Sequence, residues 1–551
     1  MFDNTKPNVI LFADNTDIIS LKKSYGIYKV AHTLRQHGIQ VAVIHHLSIF
    51  SVTEIFKILD TLISDKTLFV GVNNFYYADI STATQTSDGG AVLKNSSPGM
   101  IIPHGLDKNQ PIKNFIKSKN PRCRLVLGGP AASDNSHNKF FDYIVLGYAE
   151  MSIVNLANHL IDPSVQLKQS YRSIFGPIII DDSKAQGYNF SSCSMNYEDY
   201  DVIFSGETLM IEIARGCIFN CSFCSFPLNG KKKMDFVRST DLLQQELIDN
   251  YEKFGVTRYV FCDDTVNDSP EKCKMLYELS QSLPFDLEWW GYIRLDLLAA
   301  HPETIDYLFK SGLRAAHFGI ETFNSKSAAA IGKGGNREKL IATIQKIKDT
   351  YGDQVSLHGS FIFGLPYESI ESMKQTEQFL LSENNPLDSW EVYALHIKPS
   401  NHSFNNQFLS DIDKNYTKYG YREIDQSSND NKNIYAVSRH AGTMIWENEH
   451  TNRLEVEKMV GDLHDYRQKH KIRKVTGQSA FYFAGAGADM SQVLNKSFGE
   501  IDWNKLDRLK IVRAIEYKTK LYDRLGINCD AELYQGFETF GQVLVSKILL
   551  K

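Results

Sequence analysis

Between Leu209 and Ile397 the chain repeats one pattern six times: a short run rich in β-branched and aromatic residues, then a helical stretch. The runs are LMIEI (209–213), RYVFC (258–262), LEWWGYI (287–293), AAHFGIE (315–321), SLHGSFIFG (356–364) and WEVYALHI (390–397). The stretches between them carry helix signals; STDLLQQELIDNYEKFG, for example, starts on Ser239 as a plausible N-cap and stops at Gly255. A strand that returns through a helix to a second strand forms a parallel pair with a right-handed crossover. Six such units predict a partial barrel, two short of a closed eight-unit one, with its chemistry at the carboxyl ends of the strands.

The first 155 residues show the same alternation in a different setting. VILFA (9–13), VAVI (41–44), LFVGV (68–72), RLVLGGP (124–130) and DYIVLG (142–147) read as strands. Ile27, Val30, Ala31 and Leu34 mark an amphipathic helix that Gly38 ends, and a second helix runs through Glu54 to Ile63. This predicts a doubly wound parallel sheet of about five strands. Asn73, Asn74, Gly128, Gly129, Gly147 and Glu150 fall at its carboxyl ends, where such sheets bind ligands. Residues from about 156 to 205 lack sustained periodicity and read as a linker. A mainly helical region, 401–551, follows the 206–400 barrel, and its WENEH and GQSAFYFAGAGADM segments match no interpretable motif. A capping role over a substrate pocket and a packing role are both open for it. At 551 residues the chain exceeds what one core can bury.

Three of the eight cysteines, Cys217, Cys221 and Cys224, crowd into RGCIFNCSFCSFP directly after the first barrel strand. No run is long and apolar enough to span a bilayer, and the N-terminus lacks the basic-then-apolar pattern of a signal peptide. These features predict a cytoplasmic protein, where clustered cysteines point to metal binding or catalysis rather than disulfides. A formal net charge of −5 argues against broad electrostatic binding to nucleic acid. The Lys231–Lys233 run reads as a solvated loop, with gating of an acidic substrate as the alternative. A structural zinc site needs four ligands. Three thiolates at C-x3-C-x2-C spacing suit a cubane iron–sulfur cluster with one iron left open. A zinc knuckle completed by a distant Cys or His, or three incidental thiols, remain alternatives.

These residues resemble the radical S-adenosylmethionine (radical SAM) enzymes, and the resemblance extends motif by motif over about 205–400. It implies that Cys217, Cys221 and Cys224 ligate a 4Fe-4S cluster whose open iron chelates S-adenosyl-L-methionine (SAM), with Phe223 helping to seat the cofactor. FCDDT places Asp263 and Asp264 at the mouth, and WWGYIRLD places Arg294 after the third strand. FGIET makes Glu321 a polar contact to SAM. SFIFGLPYE resembles the adenine-packing pattern through Ser360, Ile362 and Gly364, but has Ser360 and Tyr367 where that pattern has glycines. The alternatives are a helix-capping pair for Asp263 and Asp264, an ion-pair role for Arg294 and a satisfied buried carboxylate for Glu321.

Residues about 1–155 resemble the cobalamin-binding domain that precedes the barrel in one large subclass, through SYGIYKVAHTLRQHGIQVAVI, LVLGGP and DYIVLGYAE. The D-x-H-x-x-G motif of a lower-ligand histidine is missing, as is any G-x-G-x-x-G after the first strand. The resemblance therefore implies cobalamin held without that histidine, or a vestigial domain. It further implies methyl transfer to an unactivated carbon of a small molecule or peptide through a 5′-deoxyadenosyl radical. An external flavodoxin- or ferredoxin-type protein would donate the electron. Asp263, Asp264, Arg294 and Tyr393 are the candidate cavity residues. A radical cyclase, ring-contraction or rearrangement enzyme is the alternative chemistry, and a non-catalytic cobalamin- or metal-binding regulator is the alternative class.

Overall fold

The computed structural model describes residues 6–13, 22–50, 52–73, 110–129, 132, 140–173, 176–182, 188–198, 200–226, 228–398, 409–424 and 444–528. Asn74, predicted at a ligand-facing strand end, lies outside them. The chain forms two compact units. One comprises Met1–Asn189, Ser194–Glu207 and Trp503–Lys551; the other comprises Phe190–Cys193 and Thr208–Asp502. Among the described residues no helix is long and apolar enough to cross a membrane.

In the first unit β1 (Val9–Ala13), β2 (Val41–Ile44), β3 (Phe69–Asn73), β4 (Arg124–Gly128) and β5 (Tyr143–Gly147) form the doubly wound sheet expected. Two more strands join it: β6 (Ser170–Arg172) and β7 (Ile178–Asp182), in the order β2-β1-β3-β4-β5-β7-β6. β7 pairs parallel to β5, and β6 runs antiparallel at the edge. The segment 156–205, read as a linker, thus supplies two strands. The three residues of β6 are all exposed and make no apolar run, and IIIDD follows a Gly176-Pro177 turn signal that sequence reasoning passed over. The helix Trp503–Leu525, grouped with the C-terminal region by its sequence, belongs to this unit. Its Ala514, Tyr517, Leu521 and Tyr522 enter the apolar core beside Phe50, Ile55 and Leu59. Lys518 Nζ reaches the buried Glu54 carboxylate at 2.7 Å, and Tyr522 Oη donates to it at 2.8 Å.

In the second unit all six predicted strands form: β8 (Thr208–Ile211), β9 (Arg258–Phe261), β10 (Glu288–Ile293), β11 (Leu313–Glu321), β12 (Ser356–Phe363) and β13 (Ser389–Ala394). They pair in chain order, every pair parallel, as an opened barrel. The inner residues near the amino ends are Met210, Val260, Trp290, Ala315 and Ser356, which align across the sheet. The helix Gly477–Gly485 closes this end, with Phe481 and Tyr482 packed against Val260, Trp290 and Ala315. A Cβ on Gly477 would stand 2.3 Å from the Ala315 Cβ, so only glycine lets the helix lie this close. The GQSAFYFAG segment therefore plugs the amino end of the barrel. The tryptophan of WENEH, Trp446, is fully buried, and its indole N–H donates to the Leu395 carbonyl at 2.9 Å.

Candidate functional site

The cysteine loop leaves β8 and is pinned from below by Asp263. Its two carboxylate oxygens accept the Ile213 and Ala214 backbone N–H groups at 3.0 and 2.8 Å, and Lys272 Nζ stands 3.4 Å from one of them. Burial raises the Asp263 pKa, with Lys272 and the two amides opposing. Asp263 thus holds the base of the loop. Gly216, at φ +70°, makes the turn into Cys217, and a Cβ there would stand 2.5 Å from the Leu228 carbonyl oxygen. The Gly230 and Lys231 amides donate back to the Cys217 carbonyl at 2.9 and 3.2 Å, closing the loop on itself. Phe223 sits in the turn that the Cys224 amide closes on the Cys221 carbonyl at 3.0 Å. In the Lys231–Lys233 run, the Lys231 side chain is buried with its Nζ donating to the Asp235 carbonyl at 2.7 Å, while Lys232 and Lys233 are exposed and Lys233 pairs with Glu271.

Arg294 caps β10 and points at the cysteines. One guanidinium nitrogen donates to Cys221 Sγ at 3.5 Å and another to the Gly332 carbonyl at 3.2 Å. The group lies over the Phe219 ring, 3.8 Å from its centroid, and a fork to both Asp296 oxygens fixes its plane. Its ion pair is therefore real, and it serves to aim the guanidinium at a cluster-loop sulfur. Burial pushes the Cys221 and Cys224 thiols up, while Lys333 and Arg294 pull Cys221 back down. Among the described residues no three His, Cys, Asp or Glu side chains converge on a single ion. A cubane spreads its three thiolates over three irons, so one loop with a guanidinium beside it fits that group.

At the end of β11 the register to β12 slips between Gly319 and Glu321, and Glu321 takes φ +67°. A bulge with a left-handed carboxylate residue is costly and re-aims a side chain. Here it turns Glu321 toward Lys333, 3.4 Å away, whose Nζ also donates to the Gly319 carbonyl at 2.8 Å. A Cβ on Gly319 would strike Glu321 Oε1 at 2.6 Å. Burial raises the Glu321 pKa, opposed by Lys333. Lys333 and the Gly332 carbonyl that meets Arg294 belong to a GKGG loop that sequence reasoning passed over. Asp264, predicted beside Asp263, has its pKa raised to about 7 by burial and by the Asp263 and Glu212 charges.

Ser360 aligns with Gly319 and Glu391 on the inner face of β12, with Ile362 beside Tyr393 one layer above. Gly364 follows, and its carbonyl accepts the Tyr421 hydroxyl at 2.7 Å. Glu368 accepts the Gly364 and Leu365 amides at 2.9 and 3.2 Å and the Thr322 hydroxyl at 2.6 Å. Tyr367 adopts φ +65°, so the backbone keeps the left-handed turn without the glycine that would make it easy. Tyr393 is partly exposed and donates to the Glu391 carboxylate. Between these residues and the apolar plug lies a layer the sequence did not single out: Tyr292, His317 and His358, aligned on β10, β11 and β12.

In the first unit the described strand ends form a backbone-lined edge. Gly129 and Gly147 take φ +97° and +84°, and a Cβ on Gly128 would meet nothing closer than 4.0 Å. Such bare backbone admits a flat or phosphate-bearing ligand. Asn73 donates to Ser24 Oγ at 3.0 Å, and Glu150 is buried in the first turn of the helix Glu150–Ile161. A buried histidine pair, His45 and His46, follows β2; His45 Nε2 accepts the Ser24 amide at 2.9 Å, and burial holds its pKa down to about 3. Their position at a strand end was visible in IHH, but nothing in the spacing marked it.

Residues 211–380 match the radical SAM superfamily. An uncharacterized methyltransferase of Pyrococcus horikoshii is 26% identical over 172 residues, covering 31% of this chain and 36% of that protein. The bacteriochlorophyllide d C-8(2)-methyltransferase of Chlorobaculum tepidum is 23% identical over 273 residues, covering 46% of this chain and 56% of that protein. The chain thus spans roughly a third to a little over half the length of these relatives. Among solved structures, the radical SAM methyltransferase TsrM from Kitasatospora setae, with cobalamin and a [4Fe-4S] cluster bound, has a TM-score of 0.60 at 12% identity, covering 93% of this chain and 99% of that one. At that identity the likeness is one of fold, and the matched segment carries the family: this chain contains a radical SAM superfamily domain at residues 211–380, within the two-sheet α/β fold of TsrM.

Proposed function

We propose that this protein is a cobalamin-dependent radical SAM methyltransferase that moves a methyl group to an unactivated carbon of a small molecule or peptide. The observation that carries the reading is the cysteine loop at the carboxyl edge of the opened barrel, with Arg294 aimed at Cys221. The methyltransferase names of the two relatives and of TsrM support it. Cys217, Cys221 and Cys224 would hold the cluster, and Phe223 would pack beside SAM. When bound, the cluster and SAM supply one-electron chemistry that removes a hydrogen atom from the substrate, and cobalamin supplies the methyl group.

The chain's own residues do the rest. Asp263 keeps the loop in place, and Arg294 offsets thiolate charge at Cys221. Glu321 offers a carboxylate to an ammonium group, while Lys333 neutralises it until that partner arrives. Ser360, Ile362 and Gly364 wall one side, and Asp264 and Tyr393 face the cavity. Asn73, Gly128, Gly129, Gly147 and Glu150 would form the cobalamin edge of the first unit. The working compartment is the reducing cytoplasm, with a flavodoxin- or ferredoxin-type donor.

The test is anaerobic reconstitution and incubation with host extract and SAM carrying a labelled methyl group. A labelled product found by mass spectrometry, together with deoxyadenosine, is expected. Deoxyadenosine without label in any product would defeat the methyl-transfer reading. No deoxyadenosine, with Cys217→Ala behaving as the parent, would defeat the radical reading as well.

A further inference from the structure

The middle of the barrel carries polar groups that the proposed cofactor contacts leave unused. Tyr292 aligns with His317, and His317 with His358, on neighbouring parallel strands. The His317 ring centroid lies 4.8 Å from that of Tyr292 and 4.6 Å from that of His358. Below them Trp290 meets Tyr292 edge-on at 4.8 Å. His358 Nδ1 is engaged with the Ser389 hydroxyl at 2.8 Å. Glu391 takes the Tyr393 hydroxyl on one oxygen. Among the described residues, neither the His317 ring nitrogens nor the Tyr292 hydroxyl has a hydrogen-bond partner. Tyr292 and Tyr393 are 41% and 42% exposed, so these rings border open space and are not sealed in a core.

We propose that this layer is the substrate-recognition site and takes a planar nitrogen heteroaromatic ring bearing an N–H donor. The proposal rests on the methyl-transfer reading above only in treating the barrel interior as the substrate's place. Three features select that class. Tyr292, His317 and Tyr393 offer flat faces and edges to a ring. Glu391 has a second carboxylate oxygen to accept an N–H, and His317 has one donor and one acceptor nitrogen to read the ring's polar edge. Burial holds both histidines near a pKa of 3, His317 further lowered by His358 and raised by Glu391, so at neutral pH they are uncharged. An anionic group would meet the Glu391 carboxylate itself; of the nearby cations, Lys333 is paired with Glu321, and Arg467, whose charge also lowers the His358 pKa, lies over the Trp390 ring. A metal ion is not favoured, since among the described residues no three such ligands converge.

The probes are 7-azaindole (donor and acceptor), indole (donor) and benzothiophene (neither), titrated calorimetrically into the reconstituted full-length protein without reductant. Affinity is expected to fall in that order, by roughly five- to tenfold per lost hydrogen bond. Glu391→Gln should weaken both N–H probes about tenfold, and His317→Phe should erase the advantage of 7-azaindole over indole; benzothiophene should be unmoved by either. His317→Gln, which keeps a donor and an acceptor, should restore part of that advantage. Unchanged visible absorption of the reconstituted cluster shows that each variant is folded. Gly-Trp-Gly beside free indole tells a peptide-borne ring from a free one; the tighter binder names the source. Equal binding of all probes, binding of none to the folded protein, or an order that survives both variants overturns the proposal. A discriminating site with no labelled methyl product would instead leave this inference standing and remove the methyl-transfer reading.

Discussion

The two ends of the same opened barrel are built on opposite terms. At the amino end, Met210, Val260, Trp290 and Ala315 meet Phe481 and Tyr482 in an apolar layer closed by one helix. At the carboxyl end the strands finish in charged groups, a bulge and residues in left-handed backbone: Glu321 at +67° and Tyr367 at +65°. Packing energy is concentrated at one end so that cost can be carried at the other. Substitutions at the carboxyl end should therefore change chemistry with the fold kept, and substitutions at the amino end should change stability with the chemistry kept.

The sharpest way to break that contrast is Cys221→Ala. It should abolish cluster loading and deoxyadenosine formation while the far-UV circular dichroism stays that of the parent; loss of the fold would show that the loop is structural. At the opposite end, Phe481→Ala removes a fully buried ring and should cost about 3–5 kcal/mol in urea unfolding. Iron content per folded molecule should be unchanged.

Glu368 tests the carboxyl end by pH. Burial raises its pKa to about 7, against its hydrogen bonds from Thr322, Leu365 and Gly364. A carboxyl with a raised folded pKa binds its proton more tightly folded than unfolded. Its contribution is therefore favourable below the unfolded value and is lost as pH rises toward 7. The loss should be on the order of 3 kcal/mol, and Glu368→Gln should flatten that slope in urea midpoints measured from pH 4.5 to 7.5. The smallest effect belongs to Arg294→Gln. Removing a cation 3.5 Å from Cys221 Sγ should lower the cluster's reduction potential by on the order of tens of millivolts in an EPR-monitored titration, with little change in melting temperature.

Much of this was legible in the residues. The six barrel strands and the five of the first sheet were readable because strand–helix alternation repeats with clear stops, and the cysteine loop because its spacing is rare. β6 and β7 were not: the three residues of β6 are all exposed and make no apolar run, and the Gly176-Pro177 turn signal before IIIDD was passed over. Arg294 was placed at the right strand end, but the sulfur it faces and the Gly332 carbonyl that helps to hold it belong to distant loops. The inner layer of Tyr292, His317 and His358 was hidden for a similar reason. Each lies in a run that reads as an ordinary buried strand, and register between strands brings the three together.

The sequence by itself determined two parallel α/β arrays and put three thiols on one loop at a strand end, because hydrophobic periodicity and cysteine spacing are local properties. Only the tertiary structure decided which groups meet across strands. It set Arg294 against Cys221, turned Glu321 to Lys333 through a bulge, and carried the helix Trp503–Leu525 back to Glu54 in the first unit. Those contacts join residues far apart in the chain, and their energies depend on burial and register that no short window of sequence contains.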